Sequence, residues 1–366
     1  MKIECLKEKL EFGLGIVERI ADRNPTLPIL SCIYMEVEGS VLLLRTTNLD
    51  LGVEFEVPVK VRDMGVMAVP ARVLGGFVNS LQNTKTIILE ESDGNLLIKS
   101  EKGRALIKTF PAKDFPTIPK IDGGNSFIIP AKNLVSGLRS VSYGASLSNI
   151  KPELGSVYVY GDGGYLFFVA TDSFRLAEKK IKTNIKQAIP NTLIPIKNVN
   201  EILRLLEGIH DDVKIQFDKS QFSINHQSFY LMSRVVDGNF PDYNQIIPKD
   251  FKTEAVVLKH DLMQIFKTSS IFSDSSNQVS FRLDPAKKVF EISSTNQSVG
   301  ETVNFIEASI KGEAITINFN LKYIFDCLQS VEVDSLSLGF NGLHKPLIIR
   351  GVSDSSFTYL VMPMNK

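Results

Sequence analysis

The sequence repeats one short pattern six times, and this repeat limits the possible folds more than any other feature. In each copy an apolar segment ends in Leu or Pro, a basic residue follows within two positions, and an apolar residue stands four positions after the Leu or Pro. Successive copies are 60 to 65 residues apart. The copies read ECLKEKL, VPARVL, IPAKNL, IPIKNV, VLKHDL and FNLKYIF, with the Leu or Pro at Leu6, Pro70, Pro130, Pro195, Leu258 and Leu321.

Each copy marks a junction between a strand and a short amphipathic helix. Apolar residues with helical spacing follow it, for example Val199, Ile202, Leu203 and Leu206, and Pro is favoured in a first helical turn. Segments after each helix, such as VKIQFDKSQFSINHQSFYLMSRVV, alternate apolar and polar residues between turns. The pattern predicts a unit of strand, helix and about three antiparallel strands, repeated six times.

Similar closing segments, FPAKDFPTIPK and VVDGNFPDYNQIIPK, divide the chain into larger parts. A chain of 366 residues is also too long for one ordinary core. We therefore expect an α+β protein of three similar domains, at about 1–121, 122–248 and 249–366, each containing two of the repeated units.

Composition narrows the function. Lys plus Arg and Asp plus Glu both number 41, so a nucleic-acid surface must be local rather than global. The first 20 residues have charges scattered through apolar positions, unlike a signal peptide or a membrane span, which predicts a cytoplasmic protein. Cys5, Cys32 and Cys327 lack metal or redox spacing and are expected to be buried thiols.

Signatures of catalysis are missing from the sequence. It has no GxxxxGK[ST] loop, GxSxG elbow, HExxH motif or EF-hand loop, and its four histidines are far apart. GDGG, at residues 161–164, is typical of a hairpin turn, because no helix follows it directly. We therefore expect a protein that is not an enzyme and that holds neither a metal nor a cofactor.

All six predicted helices carry a cation in the first turn. A helix N-terminus has about half a positive charge, so a cation there is unfavourable unless an anion lies nearby. One such residue means little, but six of six indicate a polyanion such as DNA, bound through phosphates without sequence specificity. The residues are Lys7, Arg72, Lys132, Lys197, Lys259 and Lys322.

A channel lined by these helices would need two chains. With neighbouring axes about 9 Å apart, six helices close a circle about 17 Å across, too narrow for a duplex about 20 Å wide. Twelve helices leave about 24 Å. If the helices face inward, the count therefore implies a head-to-tail homodimer with two equivalent junctions.

Two segments carry a family resemblance, ATDSFRLAEKK at residues 170–180 and the C-terminal YLVMPMNK at residues 359–366. Together with RNPTLPIL, FPAKDFPTIP and DGNFPDYNQIIP, they resemble the bacterial DNA polymerase III beta subunit (beta sliding clamp) family along the whole chain. The resemblance implies a six-domain ring of two chains, with helices inside facing double-stranded DNA and sheets outside. It also implies tethering of the replicative polymerase, which confers processivity, and a role at the nucleoid.

The resemblance further implies a cleft between the second and third domains that accepts short linear peptides of the polymerase, the clamp loader and repair polymerases. An extended peptide with bulky apolar side chains needs such a preformed apolar pocket. The carried-over cleft residues are Leu154, Thr171, Ser173, Phe174, Arg175, Leu176, Pro241, Ile246, Asn320, Tyr323, Pro346, Leu360, Val361, Met362, Pro363 and Met364.

Other sites also follow from the resemblance. Arg23, Asn24 and Asn149 would face DNA together with the first-turn cations, and Ile107 would meet Ile271 and Phe272 of the other chain. The sequence departs from the family pattern at three places. Ser173-Phe174 replaces a frequent Gly-His pair, Asn244-Gln245 stands where basic residues are frequent, and the tail ends in Asn365-Lys366.

Two alternatives remain open at this point. A repeat scaffold that binds peptides but not DNA would need no closed dimer and would show no salt-dependent retention on DNA. A nuclease or transferase with an unrecognised site would show turnover by the isolated chain. Neither alternative explains six helices with basic first turns.

Overall fold

Six helices follow six strands directly in the computed structural model, which describes residues 1–21, 26–121, 123, 125–148, 150–185 and 189–364. The predicted junctions are confirmed at five places. At the sixth, the strand before the helix ends at Asn320, one residue before the predicted Leu321. The helices in this part of the chain are α1 (Lys7–Val17), α2 (Ala71–Ser80), α3 (Ala131–Ser142), α4 (Ile196–Leu205), α5 (Lys259–Ile271) and α6 (Leu321–Leu328).

Antiparallel strands make up most of the rest. The first ten are β1 (Lys2–Leu6), β2 (Cys32–Glu38), β3 (Val41–Thr47), β4 (Leu51–Pro58), β5 (Lys60–Asp63), β6 (Val66–Pro70), β7 (Thr86–Ser92), β8 (Asn95–Ser100), β9 (Gly103–Ile107) and β10 (Asn125–Pro130). The next seven are β11 (Ser156–Asp162), β12 (Tyr165–Thr171), β13 (Arg175–Lys182), β14 (Thr192–Pro195), β15 (Asp212–Phe217), β16 (Gln221–His226) and β17 (Phe229–Arg234).

The final third adds nine strands, numbered β18 to β26. They are β18 (Thr253–Leu258), β19 (Gln278–Asp284), β20 (Val289–Asn296), β21 (Gly300–Phe305), β22 (Ala308–Gly312), β23 (Ile315–Asn320), β24 (Ser335–Phe340), β25 (Leu347–Gly351) and β26 (Asp354–Val361). Three strands follow α2, α3, α4 and α6 as predicted, whereas α1 and α5 are each followed by an additional strand, β5 or β22, before the next junction.

The chain divides into two compact units. Unit 1 comprises Met1–Ala131 and Asn200–Val235. It contains a five-stranded sheet, β5-β1-β7-β8-β9, and an eight-stranded sheet, β10-β15-β16-β17-β4-β3-β2-β6. The larger sheet is continuous because β17 pairs with β4, which places Ser233 opposite Leu51. Hydrogen-bonded pairing therefore runs across the predicted boundary near residue 121.

Unit 2 comprises Lys132–Val199 and Val236–Lys366. It contains a nine-stranded sheet, β14-β11-β12-β13-β26-β25-β24-β18-β22, and a four-stranded sheet, β21-β20-β19-β23. Here β13 pairs with β26, and Leu176 lies opposite Leu360. Strands from the second and third predicted domains thus form one sheet.

The helices bury one apolar face each, because their apolar residues recur every three or four positions. In α4 and just after it, Val199, Ile202 and Leu206 are buried as predicted, whereas Leu203 is half-buried and Leu205 takes its place in the core. In the described part of the chain, no helix has the length and apolarity that crossing a bilayer requires.

Two further sequence predictions concern local structure. The GDGG segment forms the hairpin between β11 and β12, and Gly163 and Gly164 have φ of 55° and 80°, values that glycine adopts at little cost. All three cysteines are buried free thiols, and burial raises the pKa of Cys5 to about 12.

Close packing of α3 on its sheet gives a test of the core of unit 2. A Cβ at Gly137 would overlap the ring of Phe168, whereas a Cβ at Gly76 of α2 would meet open space. We expect Gly137→Ala to lower the free energy of unfolding by about 1–3 kcal/mol through overpacking. Urea unfolding followed by circular dichroism measures this.

The matched control is Gly76→Ala, which should raise the free energy of unfolding by about 0.5–1 kcal/mol because alanine restricts the unfolded chain and favours the helix. Equal effects of the two substitutions would contradict the packing at Gly137.

Candidate functional site

The hairpin between β12 and β13 is tied by its own side chains. Thr171 Oγ1 accepts a hydrogen bond from Ser173 N at 3.2 Å and donates to Arg175 O at 2.6 Å. Asp172 Oδ1 accepts from Phe174 N at 2.9 Å. Ser173 has φ of 79°, a left-handed conformation that costs most residues about 1–2 kcal/mol. These hydrogen bonds therefore hold the hairpin tip in this conformation.

The C-terminal segment lies beside this hairpin. β26 pairs with β13 from Phe357 to Val361, and the chain continues as Met362, whose N donates to Phe174 O at 2.8 Å. Farther along, Met364 N donates to Asn318 O at 2.8 Å. These bonds hold an apolar tail against the surface instead of leaving it free.

Arg175 links the hairpin to helix α6. Its guanidinium bonds to Asp172 Oδ2 at 2.9 Å and to Asp326 Oδ2 at 2.8 Å, and it lies 4.3 Å from the centroid of the Tyr323 ring. Burial by itself lowers the pKa of Arg175. The surroundings, Tyr359 and the bonds to the two carboxylates, more than offset burial, so the pKa is raised and the group stays cationic.

A buried apolar cluster forms the floor beneath the hairpin and the tail. Its members are Val169, Leu176, Tyr243, Ile348 and Leu360. Half-buried rings pack around it, among them Phe240 and Tyr158, whose centroids are 4.8 Å apart. Phe174, in the hairpin between β12 and β13, has 62% of its surface exposed. The arrangement is a fixed apolar surface with an exposed aromatic rim, suited to an extended peptide.

The same hairpin design recurs in unit 1. Thr47 Oγ1 accepts from Leu49 N at 3.0 Å, and Asn48 Oδ1 accepts from Asp50 N at 3.1 Å. Asp50 O accepts from Arg234 N at 2.8 Å, and Leu49 has φ of 75°. The backbone scheme of the repeat is thus shared, while the exposed side chains differ.

Three family models cover almost the whole chain. They describe the N-terminal, central and C-terminal domains of the DNA polymerase III beta subunit and match residues 1–119, 125–242 and 244–365. The chain belongs to the DNA polymerase III beta subunit family.

Similar proteins have the same length and the same fold. A beta sliding clamp from Synechocystis is 28% identical, with 100% of this chain and 99% of the relative covered. The crystal structure of the Bacillus subtilis sliding clamp is 27% identical, with a TM-score of 0.96 and coverage of 100% and 99%. A Pseudomonas aeruginosa sliding clamp bound to griselimycin is 26% identical, with a TM-score of 0.95 and full coverage of both chains. The beta subunit family is one of non-catalytic clamps, as expected from the missing catalytic motifs.

The predicted cleft residues differ in solvent exposure and fall into three groups. Leu154, Thr171, Leu176, Pro346, Leu360 and Val361 are buried. Arg175, Asn320, Tyr323, Pro363 and Met364 are half-buried. Ser173, Phe174, Pro241, Ile246 and Met362 are exposed.

Most of these residues meet through the hairpin, the tail and α6. Asn320 caps α6, since its Oδ1 accepts from Tyr323 N at 3.2 Å. Pro346 precedes the β25 residue that pairs with Val361. Pro241 and Ile246 lie on the segment whose Phe240, Tyr243 and Ile247 join the apolar cluster. Leu154 lies in the loop after α3. Its backbone N donates to Lys151 O, and its carbonyl accepts from Ser146 N.

The carboxylates that hold Arg175 were missed by the sequence analysis. Asp172 lies inside the motif ATDSFRLAEKK, so a cation three residues later was a local signal that could have identified it. Asp326 gave no such signal, because the pair joins positions 151 residues apart. Tyr243 was also missed, because the Glu178 carboxylate to which its hydroxyl donates lies 65 residues away in sequence.

The first-turn cations fall into two groups. Arg72, Lys132, Lys197 and Lys322 stand at the second helical residue and are exposed. Lys7 and Lys259 stand at the first residue and use their charge within the chain, since Lys7 Nζ lies 2.7 Å from Glu11 Oε2 and Lys259 Nζ donates to Val331 O at 2.7 Å. Four of the six predicted first-turn cations are therefore exposed at the second helical residue.

The predicted residues of the chain-to-chain junction differ in exposure. Ile271 is 65% exposed and Phe272 is half-buried, but Ile107 is only 5% exposed because its side chain packs into unit 1. Its neighbour Leu106 is 56% exposed. On this strand Leu106 therefore exposes more apolar surface than Ile107 does. Arg23, Asn24 and Asn149 lie outside the described residues.

Replacing Arg175 tests the link between the hairpin and α6. Arg175→Met should lower the free energy of unfolding by about 2–3 kcal/mol, because it leaves two partly buried carboxylates without their cation. Arg204→Met is the control, since the Arg204 ion pair with Glu201 is exposed and should contribute about 0.5 kcal/mol or less. Urea unfolding compares the two variants, and equal losses would contradict the structural role of Arg175.

Proposed function

We propose that this chain is the processivity clamp of a bacterial replicative polymerase. Two copies close head to tail into a ring around duplex DNA, hold it without reading bases, and tether the polymerase through a peptide cleft. The end-to-end match to the three beta subunit domains carries this proposal. Such a ring would act at the nucleoid in the cytoplasm.

The domains proposed are 1–121, 122–248 and 249–366. The three family matches, which change near residues 120 and 243, support this division. The two compact units reflect sheets that join neighbouring domains, because β4 pairs with β17 and β13 with β26. A domain boundary can lie inside a compact unit when backbone hydrogen bonds continue across it.

Ring closure is proposed through two strands that end their sheets. β9 is the last strand of the five-stranded sheet, and β21 is the last strand of the four-stranded sheet. Such edges present unpaired backbone groups and tend to pair with another chain. Exposed apolar residues support this role, namely Leu106 on β9 and Val303 and Phe305 on β21. Ile271 and Phe272 remain proposed neighbours of this junction.

DNA contact is proposed for the four exposed first-turn cations, Arg72, Lys132, Lys197 and Lys322. Each lies at a helix N-terminus, where the backbone dipole also attracts phosphate. Lys7 and Lys259 are proposed to contribute less because they are held within the chain. Arg23, Asn24 and Asn149 stay proposed DNA contacts on the resemblance alone.

The cleft is proposed to bind short peptides of the replicative polymerase, the clamp loader and repair polymerases. Its apolar floor, exposed rim and hydrogen-bonded tail support this, as does the existence of a griselimycin complex of a similar clamp. Binding through the cleft would raise the effective concentration of polymerase at DNA without new contacts to DNA.

Retention on circular DNA tests the ring. After loading with a matched clamp loader and ATP, the protein should stay on closed circles, leave linearised DNA and have a solution mass of two chains. A variant with alanine at Arg72, Lys132, Lys197 and Lys322 should be loaded less well but, once loaded, should stay on circles. Equal retention of wild type on circular and linear DNA would overturn encirclement.

Removing the tail tests the cleft. Leu360 and Val361 belong to β26 and pair with β13, so a cut before them would damage the sheet. Deletion of residues 362–366 spares that pairing and removes Met362 and Met364. We expect loss of polymerase stimulation in primer extension, with retention on circular DNA as the control. Unchanged stimulation would show that the peptide site lies elsewhere.

A further inference from the structure

A polar cavity of about 280 Å³ lies in unit 1, and none of its lining residues belongs to the predicted cleft, DNA-facing or junction sets. Glu54 and Glu56 on β4 line it from one face of the sheet, because side chains two positions apart in a strand point the same way. Tyr230 lies opposite Glu54 in β17, and Asn225 lies opposite Tyr230 in β16. Strand pairing therefore brings two carboxylates, a phenol ring and an amide together.

One wall of the cavity is the end of the first closing segment, which hydrogen bonds fix over the sheet. The Tyr230 hydroxyl accepts from Ile121 N at 3.3 Å and donates to Pro119 O at 3.2 Å. Gln216, which is 9% exposed, donates from Nε2 to Ile121 O at 3.5 Å. Lys120, between the two bonded residues, lines the cavity. The fold therefore builds this cavity from strands and a tethered segment.

Lys120 indicates which charge the cavity favours. Its Nζ lies 3.1 Å from Glu54 Oε2 and 5.8 Å from the centroid of the Tyr230 ring. A carboxylate beside an aromatic face is an arrangement that attracts organic cations. Glu54 is 8% exposed, whereas the Lys120 side chain is 60% exposed and can withdraw into solvent at little cost. The chain's own lysine is thus a displaceable occupant of a cation position.

Polar groups around this position are not all used within the chain. Glu56 lines the cavity and is exposed, and among the described residues its carboxylate forms no ion pair. His226 also lines the cavity, with a side chain that is 9% exposed. In the described part of the chain its Nε2 has no hydrogen-bond partner, since Asp211 Oδ2 lies 3.6 Å away. Such buried polar atoms are uncommon in folded proteins and call for a ligand or water.

An organic cation suits this cavity better than a metal ion. Within the ranges that the structure describes, no three His, Cys, Asp or Glu side chains are grouped to hold a metal. Hard metal ions need several oxygen ligands, whereas an ammonium or guanidinium group is bound by a carboxylate and an aromatic face. Arg45 already contacts Glu54 from the neighbouring strand, which fixes that carboxylate in place.

We propose that this cavity binds the cationic end of an alkylguanidinium or alkylammonium ligand. The ligand displaces Lys120 from Glu54, its charge lies against the Tyr230 ring, and its N–H groups donate to Glu54 and Glu56. The proposed clamp function does not use this face of unit 1. Either proposal can therefore fail without the other.

Saturation-transfer NMR with the full-length protein tests the recognition of charge. The probes are butylguanidine and butylurea, which have nearly the same shape, although only butylguanidine is charged at neutral pH. Butylguanidine should bind with a Kd of about 1–10 mM and about fivefold more tightly than butylurea. Equal affinity for the two probes, or no saturable binding of butylguanidine at about 50 mM, would overturn the site.

Two substitutions should change the affinity for butylguanidine in opposite directions. Lys120→Gln should tighten binding about threefold because it removes the competing cation, and Glu56→Gln should weaken it about threefold because it removes an acceptor with negative charge. Glu254→Gln is the matched control, since Glu254 is an exposed strand carboxylate of unit 2, and it should leave the affinity unchanged.

The gain expected for Lys120→Gln cannot come from damage to the fold, since a partly unfolded variant would bind less. If Lys120→Gln binds no more tightly than wild type, Lys120 is not a displaceable occupant and the proposal fails. If Glu56→Gln and Glu254→Gln behave alike, the cation binds outside this cavity.

Two further probes identify the source of the cation. Spermidine represents a free polyamine, and a capped tripeptide with arginine between two glycines represents a segment of a partner protein. The probe that binds more tightly names the source, provided that Glu56→Gln weakens its binding about threefold. If Glu56→Gln weakens the binding of neither probe, the cavity is not a cation site.

Discussion

The candidate site depends above all on the antiparallel pairing of β13 with β26. This pairing sets Leu176 opposite Leu360, although the two residues are far apart in sequence, and it continues one sheet through nine strands. Closing so long a loop costs conformational entropy, which the buried faces of the two strands offset. Only with this pairing in place does Met362 reach the carbonyl of Phe174, so the tail becomes one wall of a site.

Electrostatics then joins the hairpin to helix α6. Arg175 contacts Asp172 in its own hairpin and Asp326 in the helix, and its guanidinium carbon lies over the Tyr323 ring. A planar guanidinium with a fixed fork of donors suits this double role better than lysine. The corresponding hairpin of unit 1 keeps the backbone bonds but has Leu51 at this place in the turn. The two hairpins therefore share their backbone hydrogen bonds but expose different side chains.

The helix N-termini also share one backbone arrangement but differ in what their first-turn cations contact. Every described α-helix follows a strand directly, so the first-turn position is set by the repeat. A shift of a single residue decides what the cation does. At the second helical residue it is exposed, as in Arg72 and Lys132, whereas at the first it bonds within the chain, as in Lys259. An external polyanion would consequently meet four exposed first-turn cations.

The sequence by itself determined the six strand-to-helix junctions, the α+β class, the GDGG hairpin and the family, because these depend on local periodicity and turn chemistry. It also identified the cleft residues from the resemblance, but not their depth. Tertiary structure alone decided that Ile107 is buried while Leu106 is exposed, that Lys259 bonds to Val331, and that Asp326 holds Arg175. These outcomes depend on which residues distant in sequence become neighbours, and strand pairing, which no local pattern encodes, selects those neighbours.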